Sequence, residues 1–482
     1  MTEMTINDEL LEFIRKSASM YHTVQNAAEY LEQAGFMQLK EGESWKVRNG
    51  GRYYVKRNNS SIIAFAIPAE CRKPYFKIIA SHSDSPTFAI KEIAELSGPA
   101  DYIRLNVEAY GGMIDYTWLD RPLGIAGRVM VRTEHGIESR LINIAKDILI
   151  IPSQCVHFNR DVNKGMEFNR QVDLCPLFTA GSMTRGEFDE MIARAAGVRA
   201  EDIMGRNLFL VNHQPGTVWG AADEFISSPK LDDLQCAFTS LKGFILANGC
   251  GESDSTAADT YAESDSAAAD GAAISEKKEQ LPEGGCQCTE GGSYGINVYA
   301  CFDNEEVGSG TKQGALSTFL ADTLKRIISG MGLPAEDYHM ALARSFMISA
   351  DNAHALHPNH PEKTDECNRP LMNHGIVIKE NAAQKYVTDA FSRSIFKSIC
   401  EKADVPYQTF ANKSNVAGGS TLGNLSNTQV SIHAVDIGLA QLAMHSSYET
   451  SGARDSEYAV RAFETFYESE ILIDGADGCQ VL

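Results

Sequence analysis

The chain predicts an α/β protein: a mostly doubly wound domain with a central sheet, interrupted by an inserted β-rich domain. Three observations carry that prediction. From Leu231 onward, helical spacing alternates with short buried apolar runs, the signature of strands flanked by helices on both faces. Between about 92 and 225 the pattern changes to short β-like runs separated by turn residues. The length, 482 residues, also exceeds the roughly 250–300 residues beyond which a single core stops growing.

Taken in order, residues 7–18 and 23–34 place Leu10, Leu11 and Ile14, then Val24, Ala27, Ala28 and Leu31 at helical spacing, and Gly35 supplies the stop. Asn49-Gly50-Gly51 is a turn signal that leads into a strand at Tyr53, Tyr54 and Val55. Ile62 to Ile67 and the run Phe76-Lys77-Ile78-Ile79-Ala80 read as further strands, the second ending on His82-Ser83-Asp84. In the insert, strands are predicted at Tyr102 to Val107, Ile125 to Val131, Asp147 to Ile151 and Asn207 to Val211. Beyond it, Leu234 to Leu246 is a helix, and Ile296 to Phe302 and Phe346 to Ala350 are buried strands. Residues 251–294 hold ten acidic residues against two lysines among Ala, Ser and Gly. That composition buries too little apolar surface to order itself, so a mobile surface loop is expected there.

Composition excludes several classes of function. A net charge of −21 repels phosphate backbones and anionic lipid alike, so neither nucleic acid nor membrane is an expected partner. No stretch approaches the roughly 20 apolar residues that cross a bilayer. The N-terminus carries Asp8, Glu9 and Glu12 where a signal peptide would be basic and then apolar. Eleven scattered cysteines suit a reducing cytoplasm better than a disulfide framework. The one close pair, Cys286 and Cys288, reads as two free thiols.

Five motifs lie at or just past strand ends, the edge at which open α/β sheets bind ligands. His82-Ser83-Asp84 pairs a metal-capable imidazole with a carboxylate that can fix its ring. Ser228-Pro229-Lys230-Leu231-Asp232-Asp233 places adjacent acids at a helix start, where N-capping accounts for one of them. Asp303-Asn304-Glu305-Glu306 follows a buried strand, and its paired glutamates repel each other unless a cation lies between them or one is protonated. Asp351 and His354 follow the strand ending at Ala350, and His445 stands in an otherwise apolar stretch. Taken singly, His82 and His445 are better explained as hydrogen-bonded or packed histidines. The five motifs as a set supply the nitrogen and oxygen donors that suit two divalent ions: zinc, or manganese or cobalt in its place.

HSDSP, SSPKLDD, FDNEEVGSG, SADNAHALHPN and LAMHS occur in the order seen in the aspartyl aminopeptidase family of metallopeptidases, and the chain resembles that family over nearly its whole length. The similarity extends to Tyr110–Val129 and to Gly375–Lys379, and leaves out 251–294. The resemblance implies a dinuclear metal-dependent aminopeptidase that hydrolyses N-terminal residues, preferably Asp or Glu, from peptides. It implies that His82, Asp232 and Asp351 hold one ion and that Asp232, Glu306 and His445 hold the other, with Asp232 as the bridge. Glu305 is then the general base and Asp84 orients the site from behind. Lys379 is the cation expected to face an acidic side chain, and His354 a residue that binds substrate or steadies the oxyanion. His157, within Cys155–Arg160, is expected to reach a neighbouring subunit's active site, since the family assembles as dimers built into dodecamers. The implied division is a catalytic domain over 1–91 and 226–482 and a dimerisation domain over 92–225. Three other readings are set against this one: the same chemistry with a neutral preference such as Leu, a non-catalytic scaffold, and a deacylase or carboxypeptidase on the same fold.

Overall fold

The structure, a computed structural model, describes residues 4–249 and 295–482. The acidic segment expected to be a loop and the Cys286/Cys288 pair lie outside these residues.

A nine-stranded sheet forms the centre, in the order Met37–Leu39, Arg52–Arg57, Ser61–Ala66, Gly295–Phe302, Tyr75–His82, Phe346–Ala350, His433–Gly438, Ile376–Glu380, Tyr407–Ala411. The strands from Gly295–Phe302 through His433–Gly438 are mutually parallel, so their C-terminal ends share one edge. Gly295–Phe302, Tyr75–His82 and Phe346–Ala350 are buried along their whole length, because helices cover both faces. This is why they read as mostly apolar runs and not as alternating ones.

On one face, helices Ile6–Lys16, Met20–Gln33, Leu231–Asn248, Ala390–Lys402 and Asp455–Glu468 close a core around Phe13, Phe238, Phe244 and Phe466. On the other face, Phe319–Gly330 and Ala335–Ala343 pack Phe319, Leu324 and Ile327 against Phe65, Phe76 and Val298. Helix Ile6–Lys16 begins on a capping box in which Thr5 and Asp8 exchange bonds, worth about 1 kcal/mol.

Between Thr87 and Val211 six strands close into a barrel, in the order Ile203–Val211, Thr87–Ser97, Tyr102–Tyr110, Leu177–Ala180, Gly136–Ile150, Pro122–Thr133. Its own core contains Phe88, Leu105, Trp118, Val129 and Phe188. The barrel begins before residue 92, and Thr217–Trp219 and Phe225–Ser228 belong to a separate five-stranded sheet with Glu449–Gly452, Ala440–Leu442 and Ala353–His354. No stretch of the sequence signals that small sheet, whose strands are two to four residues long. Among the described residues, no helix is long and apolar enough to cross a membrane.

Candidate metal centre

Each of the motif residues is delivered by the end of a regular element. His82 is the last residue of its strand, Asp351 follows Phe346–Ala350, and Glu305 and Glu306 open a short 3-10 turn just past Gly295–Phe302. Asn304 enters that turn at φ 65°, and Ala443 and His445 lie at φ 56° and 66° after Ala440–Leu442. Left-handed backbone at non-glycine residues carries a local cost, and here it clusters around the functional groups.

Asp232 and Asp233 start the helix Leu231–Asn248 with non-helical backbone angles, and the peptide between them is cis. The N-cap is Lys230, and no side chain caps the helix. The expected capping use of one acid is therefore not what the structure shows: both carboxylates are buried and turned into the cluster.

The sequence-predicted residues converge. His82 Nε2 lies 3.4 Å from Asp232 Oδ1 and 3.9 Å from Asp351 Oδ1. His445 Nε2 lies 3.6 Å from Asp232 Oδ2 and 3.4 Å from Glu306 Oε2. Donor atoms fall into mutually close groups: His82 with Asp232, Asp233 and Asp351; His82 with Glu305 and Glu306; and Asp232 with Glu306 and His445. Asp84 accepts from the main-chain N–H of Glu305 at Oδ1 (3.1 Å) and of Glu306 at Oδ2 (3.2 Å), which fixes the turn bearing both glutamates. The His82 Nδ1 sits 3.1 Å from the Asp84 carbonyl, leaving Nε2 to face the cluster.

Such a crowd of acids is unfavourable unless something positive sits among them. Burial pushes the Glu305 carboxyl up to about 8. Burial and the Asp232 charge push Glu306 well above the ordinary range, and burial does the same to Asp233. Among the described residues, Asp232 Oδ1, Asp233 Oδ1 and Glu306 Oε1 are buried without a hydrogen-bond donor. Buried acceptors of this kind are costly when left unpaired, and divalent cations would satisfy them while restoring the ionised state. The donor set, imidazole plus carboxylate, fits zinc, manganese or cobalt.

Two participants have no role assigned from the sequence. Asp233 accepts from His82 N (3.2 Å) as well as joining the donor group. Glu449, 1 % exposed, accepts from Asp232 N (3.0 Å) and His445 N (2.6 Å), tying two of the cluster's residues together through their main chains. Asp233 was visible as half of an acidic pair, whereas Glu449 lies in a polar stretch with no distinguishing pattern.

The remaining sequence candidates lie at the edge of the cluster or apart from it. Lys379 is 2 % exposed; its Nζ donates to the Asp351 carbonyl (2.6 Å) and lies 3.6 Å from Asp351 Oδ2. His354 is exposed at the end of its short strand and lines a cavity of about 350 Å³ with Lys363, Phe410, Lys413 and Met444. His157 is exposed in the loop after Gly136–Ile150, and no hydrogen bond or ion pair joins it to the cluster of its own chain.

The chain matches the family described as Aminopeptidase I zinc metalloprotease (M18) over residues 13–262 and 288–467. It is 41% identical over 469 residues to a probable M18 family aminopeptidase 2 of Clostridium novyi, covering 95% of this chain and 98% of the relative. It is 35% identical over 505 residues to aspartyl aminopeptidase 4 of Saccharomyces cerevisiae, covering 97% and 95% respectively. The solved structure of the S. cerevisiae mApe1 dodecamer superposes with a TM-score of 0.76 at 25% identity, covering 96% of each chain.

Proposed function

The chain belongs to the M18 family of aminopeptidase I zinc metalloproteases and is a metal-dependent aminopeptidase, and from that premise we propose a dinuclear enzyme that removes N-terminal Asp or Glu from peptides. The observation that carries the two-ion reading is the sharing of Asp232. Its Oδ1 faces His82 and its Oδ2 faces His445, so the two carboxylate oxygens point at different imidazoles. His82, Asp232 and Asp351 would hold one ion, and Asp232, Glu306 and His445 the other, with zinc the first candidate. When bound, the ions lower the pKa of water and polarise the scissile carbonyl.

The rest of the work falls to side chains of the chain itself. Glu305, beside the ligand Glu306 but not counted among the ligands, takes the proton of the attacking water and returns it to the leaving amine. Asp84 holds the Glu305–Glu306 turn through two main-chain bonds, so base and ligand keep a fixed spacing. A carboxylate of the cluster would accept the substrate's α-ammonium, which would restrict hydrolysis to the N-terminal residue.

The acidic preference is supported by the name of the yeast relative and by positive charge on one side of the centre. Lys379 lies against Asp351, and Lys363 and Lys413 line the cavity beside His354. An acidic side chain entering the cavity beside His354 would meet Lys363 and Lys413, whereas a leucine side chain would gain nothing from them. His157 is exposed beside Phe158 and Val156, which are themselves 88 % and 52 % exposed, and would be free to serve a second copy of the chain. Together with the similarity to the S. cerevisiae mApe1 dodecamer, this supports an assembly of dimers, built into a dodecamer, in which His157 of the partner subunit would complete the oxyanion site.

Metal content measured alongside hydrolysis of Asp-, Glu- and Leu-terminated substrates tests this reading. Two ions per chain with faster turnover of Asp and Glu is the expected result. One ion per chain would overturn the dinuclear centre, and a preference for Leu the specificity.

A further inference from the structure

The stretch Tyr110-Gly111-Gly112-Met113-Ile114-Asp115-Tyr116-Thr117 leaves the barrel at the end of strand Tyr102–Tyr110 and crosses the metal centre before returning. Its contacts fall on the Glu306–His445 half of that centre, except that Asp84, which Tyr110 meets, also lies 3.4 Å from His82 Nδ1. The Tyr110 hydroxyl donates to Asp84 Oδ2 (2.7 Å) and accepts from Asn304 Nδ2 (2.8 Å), the residue that leads into the Glu305–Glu306 turn. Gly111, at φ +80°, passes so close that a Cβ there would lie 3.1 Å from Glu306 Cβ and 3.3 Å from its carbonyl oxygen. A Cβ on Gly112 would come within 4.0 Å of His445 Nδ1. Ile114 N donates to the His445 carbonyl (3.0 Å). Thr117 accepts from Ser447 N at Oγ1 (2.9 Å) and from the Ser447 hydroxyl at its carbonyl (2.5 Å).

The bonds of Ile114 and Thr117 join this segment to residues far away in sequence, at His445 itself and at Ser447 just beyond it, the latter 330 positions from Thr117. Two features of Gly111 require glycine: left-handed backbone, and a gap beside Glu306 too narrow for a methyl group without displacement. We propose that this strap is a positioning element for the Glu306–His445 half of the metal centre, with Tyr110 and Gly111 as its positioning residues. The barrel then sets the geometry of that half directly, whereas His82 and Asp351 stand at the ends of central-sheet strands and meet the strap only through Asp84. The inference rests on the two-ion reading above. Groups in this position around ligands govern metal affinity by about 10–100-fold.

The test is dialysis of the full-length protein against zinc buffered at graded free concentrations, followed by elemental analysis of the wild type, Gly111→Ala and Tyr110→Phe. In Gly111→Ala one ion should be lost at free zinc about 10–100-fold higher than in the wild type, while the other is held normally. Tyr110→Phe keeps the ring against Phe209 and deletes one hydroxyl, so it folds even if Gly111→Ala does not, and it should show a shift of about tenfold in the same ion. Lowered thermal stability with wild-type affinity for both ions would make the strap merely structural and overturn the inference. So would an equal weakening of both ions in Gly111→Ala, whose nearest neighbour is Glu306. A wild type that holds a single ion would overturn the dinuclear reading separately. The strap is then judged on that ion, supported if either variant weakens it and overturned if neither does.

Discussion

Replacing Glu449 by Gln is a perturbation whose size follows from two bonds. The carboxylate accepts from Asp232 N at one oxygen and from His445 N at the other. Glutamine has the same shape but only one accepting atom, so its amide nitrogen must face an N–H and one bond is lost. A buried donor left unpaired costs about 1–3 kcal/mol. For 482 residues the unfolding entropy is about 1 kcal/mol per kelvin, so the melting temperature falls by only about 1–3 °C. The larger signal is in metal binding. Releasing Asp232 or His445 from its tether should weaken zinc by about 10–100-fold, or about 1.4–2.8 kcal/mol. Zinc-buffered dialysis of wild type and Glu449→Gln reads this directly, with melting curves on the same samples. Wild-type zinc affinity in a folded Glu449→Gln protein would refute the reasoning, because it would show that the two ligands hold their places without the shared carboxylate.

Glu305→Gln should lower turnover by about two orders of magnitude or more while metal content, read by elemental analysis, stays at the wild-type level; a folded variant with substantial activity would remove Glu305 as the base. Lys379→Met should depress kcat/KM for Asp- and Glu-terminated substrates far more than for Leu, and an equal loss across the panel would assign Lys379 to holding Asp351 instead. His157→Ala and Glu305→Gln proteins, each nearly inactive, should regain activity on co-assembly, to at most half the sites of a mixed dimer; inactive mixed oligomers would exclude the in-trans role. Lys77 is buried at the foot of its strand, donating to the carbonyls of Tyr467 and Ser469 (2.8 Å to the latter), and burial lowers its pKa from 10.5 to about 7. Between those values the unfolded chain binds the extra proton, so this group makes stability rise with pH by about 1.4 kcal/mol per unit, full above 10.5 and lost as pH falls towards 7. Melting curves from pH 7.5 to 9.5 should therefore be flatter with pH for Lys77→Met, and parallel curves would contradict it.

Much of the site was legible because its residues terminate strands buried on both faces. Tyr75–His82 and Gly295–Phe302 are buried along their whole length and mostly apolar, so the charged and polar residues at and just past their ends stand out as an edge. Strand Gly136–Ile150 was seen only in its last few residues, since most of its length is exposed or half-exposed and carries no apolar run. The five-stranded sheet was invisible for a different reason: pairs such as Ser227 with Thr450 are set by tertiary packing, and strands this short have no pattern to read. Glu449 was missed with that sheet, because its role depends on which two N–H groups it meets. Lys379 was placed near the centre, but its burial against Asp351 could not be inferred from a strand end alone.

The order in which the proposed metal ligands occur along the chain has a consequence for synthesis. They stand at 82, 232, 306, 351 and 445, on segments that close only through long-range pairing, while the barrel occupies one unbroken stretch from Thr87 to Val211. As the chain leaves the ribosome, the barrel has all its own strands long before His445 exists, and domains fold as units in that order. A translating chain therefore presents a finished barrel beside a set of acidic side chains that lacks its last imidazole. The completed centre arises only after about nine-tenths of translation, which makes metal loading an event of the released or nearly released protein.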